Sequence, residues 1–295
     1  MKKLVYLFVI VVFFVGCASI PRTETNRRLA EFPEEIPGVF EVIKIEVEGA
    51  KHCLVHVGQQ HWVSGMKDSK LIEVMETQEE IYGILSYLRE EMMLKKIYQE
   101  GSCEGFSSLK LKELRVVQRN FLLSELSEII KPDTIEEIKN ELIEEEEEFT
   151  NYLCNSALGR LEEEGKIILR PAERYFEYDA HSEFLSNLLI LPFLDSTLVD
   201  NEEIIKLEEI LTNNRENALI DIINTEEDQF SLTVYGAAHN FYDNVQRWNK
   251  KYPDNKFSYI KILPTTLKHC SVSDREVFKH FYLCSDGIFE FKSRD

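Results

Sequence analysis

Two histidines in this 295-residue chain close the same short phrase, Gly58-Gln59-Gln60-His61 and Gly236-Ala237-Ala238-His239. Each phrase follows an apolar run of β type: Cys53-Leu54-Val55-His56-Val57 before the first, Ser231-Leu232-Thr233-Val234-Tyr235 before the second. A glycine lets the chain turn sharply off a strand and tolerates close backbone approach, so a histidine three residues on can point back over the sheet edge. A carboxylate stands at a third strand end, where Lys96-Ile97-Tyr98-Gln99 runs into Glu100-Gly101. Two imidazoles and a carboxylate suit two tasks. They can hold a divalent metal ion with a position left for water, which makes His61, Glu100 and His239 candidate metal ligands. They can also work without metal, one imidazole acting as general base while the carboxylate orients it. The same spacing equally suits two ordinary loop histidines bonded to backbone.

Other chemistry is not encoded in recognisable form. There is no HExxH, no Gly-x-Ser-x-Gly elbow and no phosphate-binding loop. His52, His56, His181, His269 and His280 have no partner at ligand spacing, and His52 and His56, four apart on one strand, read as packing. Glu173, in Pro171-Ala172-Glu173 after the apolar Ile167-Ile168-Leu169, and Trp62, next to His61, are weaker candidates for lining a substrate pocket.

The elements that must position these residues alternate in type. Residues 39–48 alternate apolar and charged, as a half-buried strand does, and a second, more buried strand follows at 53–57. Helical spacing runs over 71–93, a strand over 96–99, and a helix-rich stretch over about 107–165, with Pro132 at a helix start. A strand at 167–169, helices near 183–194 and 202–223, a strand at 231–235, a helix to 251 and a strand at 257–263 complete the pattern. The tail at 281–291 reads as a strand or hairpin around Asp286-Gly287. Alternation of this kind predicts an α/β fold with a mainly parallel central sheet flanked by helices, one domain over 38–295, with a helical insertion at about 107–165. Ligands of such sheets bind beyond the carboxyl ends of the strands, where His61, Glu100, Glu173 and His239 all fall.

The order Gly-x-x-His, strand-Glu, Glu/Arg-containing helix, strand-Gly-x-x-His resembles the Tiki/TraB superfamily, which includes erythromycin-esterase-like enzymes and haem-binding ChaN-like lipoproteins. The likeness covers about residues 39–263. Asn213-Asn214-Arg215-Glu216-Asn217-Ala218 is similar to the Arg-containing helix before the last Gly-x-x-His of that group, and Tyr235-Gly236-Ala237-Ala238-His239-Asn240 to the His-Asn phrase of its esterase-like members. The resemblance implies a central site of His61, Glu100 and His239, with Arg215 steadying a carboxylate or a developing negative charge through its planar fork.

The N-terminus bounds where such a site would work. Met1-Lys2-Lys3 precedes an uncharged run from Leu4 to Val15, too short for a bilayer span of ~20 residues, and Gly16-Cys17 follows. Phe14-Val15-Gly16-Cys17 resembles a bacterial lipobox, with Phe where Leu is usual. Residues 1–16 are thus expected to be a lipoprotein signal peptide, Cys17 the lipidated residue, and 17–37 a polar tether with Pro21, Pro33 and Pro37. Of 34 basic residues, loss of Lys2 and Lys3 leaves 32 against 53 acidic, a net charge of about −21 that argues against nucleic acid as a partner. The run Glu144 to Glu148 reads as a solvated helix face. Five further cysteines, none in a CxxC pair, leave an odd count; Cys270 and Cys284 are the candidate disulfide. The expectation is an extracytoplasmic, membrane-anchored hydrolase of peptide, amide or ester bonds, using a divalent metal ion and acting on a peptide or small molecule. The alternative is a lipoprotein that binds haem, metal or a small ligand without chemistry.

Overall fold

Three segments are rich in β-branched and aromatic residues and carry few charges, as strands covered on both faces do. In a computed structural model they form the middle of the sheet: β2 (His52–Gln59), β5 (Phe230–Gly236) and β6 (Phe257–Pro264), buried along almost their whole lengths. The structure describes residues 24–60, 68–103, 132–190, 201–237 and 239–270, with isolated positions between 116 and 127. Cys17, His61, Trp62, Cys284 and the 281–291 hairpin lie outside the described residues, and with them the expected signal, lipidation and disulfide. No helix among the described residues is long and apolar enough to cross a membrane.

Among the described residues the sheet has six strands in the order β1-β6-β2-β5-β3-β4, adding β1 (Val39–Ile45), β3 (Lys96–Cys103) and β4 (Ile168–Glu173). Neighbours from β6 through β4 are parallel, and β1 runs antiparallel beside β6. The fold is α/β with a mainly parallel sheet, as the alternation of elements predicts. The helices are α1 (Glu24–Ala30), α2 (Asp68–Met92), α3 (Pro132–Asn155), α4 (Ala157–Glu163), α5 (Tyr175–Ile190), α6 (Asn201–Thr225) and α7 (Phe241–Lys251), followed by a 3₁₀ turn at Thr265–Cys270. The helix expected near 183 begins eight residues earlier, at Tyr175.

Strand parity divides the core. On one face Val55, Val57, Leu232, Val234, Ile260 and Ile262 pack with Ile81, Ile84, Leu85 and Leu88 of α2. On the other face Leu54, Tyr98, Tyr235, Phe257 and Tyr259 meet Leu219, Ile220 and Ile223 of α6 and Phe241 and Val245 of α7. Glu100, two residues after Tyr98, falls on this second face, and α6 lies across it.

Two expectations about domain limits need correction. The stretch 17–37 is not a tether throughout. Residues 24–30 form α1, and Leu29, Phe32 and Ile36 enter the core at 0–5 % exposure. Leu29 lies on the helix, and Phe32 and Ile36 follow its end and pack into the same core from the proline-containing stretch. Thr25 Oγ1 donates to Lys51 O, and Arg28 donates to Met92 O while lying over the Phe230 ring. The insertion also ends before 165, because Ala157, Leu158 and Leu161 of α4 belong to the core. Gln78 of α2 ties it down, donating to Tyr152 Oη and accepting from Ala157 N.

Candidate functional site

Four strand ends stand side by side in the order β2, β5, β3, β4, and each carries one of the residues picked out by motif. Register sets their level. Gly58 pairs with Tyr235 and Gln59 with Gly236, so the two Gly-x-x-His phrases leave the sheet as neighbours. Ala237 N donates to Gln59 O at 2.8 Å. A side chain at Gly58 would bring its Cβ to 3.1 Å from Ala237 Cβ and 3.2 Å from Leu263 Cδ2, so glycine there lets the second phrase pack against the first.

Glu100 joins the elements. From β3 its Oε2 accepts the Gly236 backbone N–H at 2.7 Å, and its Oε1 accepts from Arg215 Nη2 at 3.1 Å and from His239 Nε2 at 3.2 Å. The other ring nitrogen, His239 Nδ1, lies 2.9 Å from Glu216 Oε1. Carboxylates only accept, so both nitrogens carry hydrogen and His239 is an imidazolium. Burial opposes that charge, but Glu100 and then Glu216 outweigh it, and the His239 pKa is raised to about 9.

Arg215 is held on its other side by Glu173. Nε donates to Oε2 at 2.8 Å and Nη2 to Oε1 at 2.6 Å, a bidentate pair with Glu173 wholly buried. Glu173 Oε1 also accepts from Tyr235 Oη at 3.1 Å and from the Gly101 N–H at 2.7 Å. Gly101 adopts φ +73°, which an L side chain resists, so the residue after Glu100 has to turn its amide this way. Glu173 therefore joins the site as the support of Arg215; with no exposed surface it does not face a substrate.

The loop bearing His239 is fixed from below. Lys261 of β6, 2 % exposed, donates from Nζ to Ala237 O at 2.7 Å and to His239 O at 3.1 Å. His56 is packed under the same loop, between Tyr259 Oη and Tyr235 O, and burial holds it neutral with its pKa well below the usual value. His52 stacks on Phe257 and bonds Asp228 O. Both are packing residues, as their spacing predicts. The insertion contributes Tyr152, whose hydroxyl is pushed up in pKa by burial and then by the Glu100 charge.

The structure thus brings together Glu100, Glu173, Arg215 and His239. His61 and Trp62 lie outside the described residues, although β2 ends beside the loop that carries His239. Sequence reasoning missed Glu216, Tyr235, Lys261 and His181. Glu216 carried a signal. Arg215 and Glu216 sit four residues before Leu219 and Ile220, so both occupy the buried stripe of α6, where charge needs a reason.

The two expected metal ligands among the described residues, Glu100 and His239, are already engaged. Among the described residues no group of three or more His, Cys, Asp or Glu side chains is placed to hold a metal. Of the expected ligands, His239 uses both nitrogens on carboxylates, and Glu100 Oε1 already takes one guanidinium and one imidazolium hydrogen. What the arrangement can do is carry a proton on His239 and present positive charge from Arg215. Comparison with protein-family models, curated proteins and solved structures finds no match to this chain.

Proposed function

We propose that this chain is a hydrolase of ester or amide bonds, peptide bonds among them, working by proton transfer and charge stabilisation at Glu100, Arg215 and His239. The observation that carries the reading is one shared oxygen: Glu100 Oε1 accepts from both Arg215 Nη2 and His239 Nε2. A guanidinium and an imidazolium are thereby held together at the strand ends, the place where parallel sheets bind ligands. The resemblance to the Tiki/TraB and erythromycin-esterase-like group supports the same reading.

Protonation state divides the labour. His239, charged at neutral pH, is the general acid that gives its Nε2 proton to the leaving alkoxide or amine. His61, on the phrase that leaves β2 beside Gly236, takes the proton from water. The hydroxide adds to the carbonyl carbon, the C=O electron pair moves onto oxygen, and Arg215 offsets that charge. Collapse releases the carboxylic acid and the protonated leaving group, and the proton on His61 returns to His239 through solvent. A lipid on Cys17 would hold this chemistry outside the cytoplasm; Cys17→Ser protein that is still processed and membrane-bound would remove that part of the proposal.

The test is a panel of chromogenic esters and peptides offered to the protein from residue 17 onward, with and without chelator. Turnover is expected to survive chelation and to fall at least ~100-fold in His239→Gln and Glu100→Gln, since groups acting as a unit lose most on the first deletion. Wild-type rates in both variants would overturn the assignment. Turnover abolished by chelator and restored by a divalent ion would favour the metal-dependent form, in which His239 Nε2 would release its proton to solvent and hold the ion instead.

A further inference from the structure

Glu216 stands beside the proposed chemistry without a part in it. It lies on α6 directly after Arg215, 4 % exposed, and its Oε1 accepts from His239 Nδ1 at 2.9 Å and from Asn240 N at 3.3 Å. The His239 ring packs edge-on against Tyr235, with centroids 4.7 Å apart at 85°, and lies at 28° to Phe241 at 6.3 Å. These rings set the plane of the imidazole and are indifferent to which of its atoms are nitrogen. Two carboxylates supply that distinction, Glu100 at Nε2 and Glu216 at Nδ1. The two are not equivalent. Glu100 also receives the Gly236 amide and Arg215 Nη2, whereas the Asn240 amide is the one other donor to Glu216 among the described residues.

A general acid has to break the contact at Nε2 in order to use it. When Nε2–H turns from Glu100 to the leaving atom, Glu100 keeps its other two donors, but the ring keeps one carboxylate bond, to Glu216. We propose that Glu216 is the positioning residue of His239: it retains the Nδ1 hydrogen and holds the ring in place while the proton on Nε2 passes to the leaving group. This inference rests on the hydrolytic reading of the site. In that step the C–O or C–N bond of the tetrahedral intermediate breaks, the departing electron pair takes the Nε2 proton, and the N–H pair stays on Nε2. The imidazole is left with its remaining hydrogen on Nδ1, facing a carboxylate that can only accept. Loss of the Nδ1 hydrogen instead would strip a buried carboxylate of its nearest donor, which costs more than an ordinary unmade hydrogen bond. The Asn240 amide, bonded to the same oxygen, ties the loop to α6 at this point, so ring and loop are located together.

Leaving groups separate the positioning of an acid from general support of the fold. 4-Nitrophenolate departs without a proton, whereas the alkoxide of benzyl alcohol needs one. Glu216→Leu is expected to lose about 100-fold in kcat on benzyl acetate with KM little changed, the scale of general-acid help, and at most ~10-fold on 4-nitrophenyl acetate. Glu216→Gln, whose amide oxygen still accepts from Nδ1, should recover most of the loss. In proton NMR spectra at pH 7 the His239 Nδ1–H should lie far downfield, as an N–H bonded to a carboxylate does. It should persist, less far downfield, in Glu216→Gln and be lost in Glu216→Leu. Equal losses on the two esters, a glutamine variant no better than the leucine one, or no carboxylate-bound Nδ1–H in the wild type would each overturn the proposal, and the last of these needs no variant to fold. If the NMR result is as expected and neither ester is turned over, Glu216 still positions His239 and the hydrolytic reading falls.

Discussion

Arg215→Met tests whether the arginine and Glu173 are a buried, mutually dependent pair. Glu173 is 0 % exposed and Arg215 7 %, so the methionine leaves a carboxylate in the interior with two donors in place of four, the Tyr235 hydroxyl and the Gly101 amide. Removing one partner of a buried ion pair costs about 3–5 kcal/mol, against whole-domain stabilities of about 5–15 kcal/mol. At about 2–4 °C per kcal/mol for a domain somewhat smaller than this one, Tm should fall by roughly 6–20 °C. Removing the stranded charge as well, in Arg215→Met/Glu173→Gln, should restore at least ~2 kcal/mol of that loss, because most of the penalty belongs to the unpaired carboxylate. Urea unfolding followed by circular dichroism at pH 7 measures all four corners of the cycle. Activity separates stability from chemistry, since the double variant should be well folded and inactive. Strictly additive losses, or a single-variant loss below ~1 kcal/mol, would refute the reasoning.

Stability should depend on pH through His239. Its folded pKa of about 9 lies above the unfolded 6.5, so its contribution is complete below pH 6.5 and is lost as pH rises through 9. At 1.36 kcal/mol per tenfold in proton affinity the difference is about 3 kcal/mol, and a flat difference between wild-type and His239→Gln unfolding curves over that window would contradict it. His181, whose folded pKa is lowered to about 4, acts oppositely, favouring the folded state as pH rises from 4 to 6.5; its ring carbon resonances should titrate near 4. Lys261→Met strands the Ala237 and His239 carbonyls and should lower kcat at least ~10-fold, with about 1–3 kcal/mol lost per unsatisfied group. A fully active, equally stable variant would show that the lysine does not hold the loop. Gly58→Ala should destabilise by about 1–3 kcal/mol and reduce turnover, because Ala237 and Leu263 must move to admit the methyl group; unchanged stability and rate would mean that the two phrases are not packed together.

The sheet was legible because its strands carry their signal locally. Residues 43–48 alternate apolar and charged, while His52–Gln59 and Phe230–Gly236 are rich in β-formers and carry a glycine at or next to the strand end. Glu100, Glu173 and His239 were legible as strand-end residues, and Arg215 through the phrase around it. Tether and insertion were misjudged for a common reason: Phe32 and Ile36 among prolines, and Leu158 and Leu161 after a glutamate run, are buried in a core built with residues far along the chain. His181 gave no signal because its partner is 34 residues away on another helix. Lys261 was hidden inside an apolar strand, since only the folded register shows that its ammonium meets loop carbonyls in place of water.

The charges at the site constrain what can be bound there. Arg215 and His239 are cations, and Glu100, Glu173 and Glu216 engage them on nearly every available hydrogen. Among these five residues negative charge is in excess, and the chain as a whole carries −19. A substrate that arrives as an anion therefore gains little from the cations, which are already paired, and meets a repelling field. A neutral carbonyl compound meets no such penalty. It becomes negative only as water adds, and the charge then forms within reach of the Arg215 and His239 cations. Interactions that strengthen only in the transition state raise kcat without tightening ground-state binding. This arrangement suits an uncharged ester or amide, and it predicts that among paired substrates the neutral one has the higher kcat/KM. A screen of neutral and carboxylated esters with the same leaving group measures that ratio directly, and a preference for the carboxylated ester would contradict the charge argument.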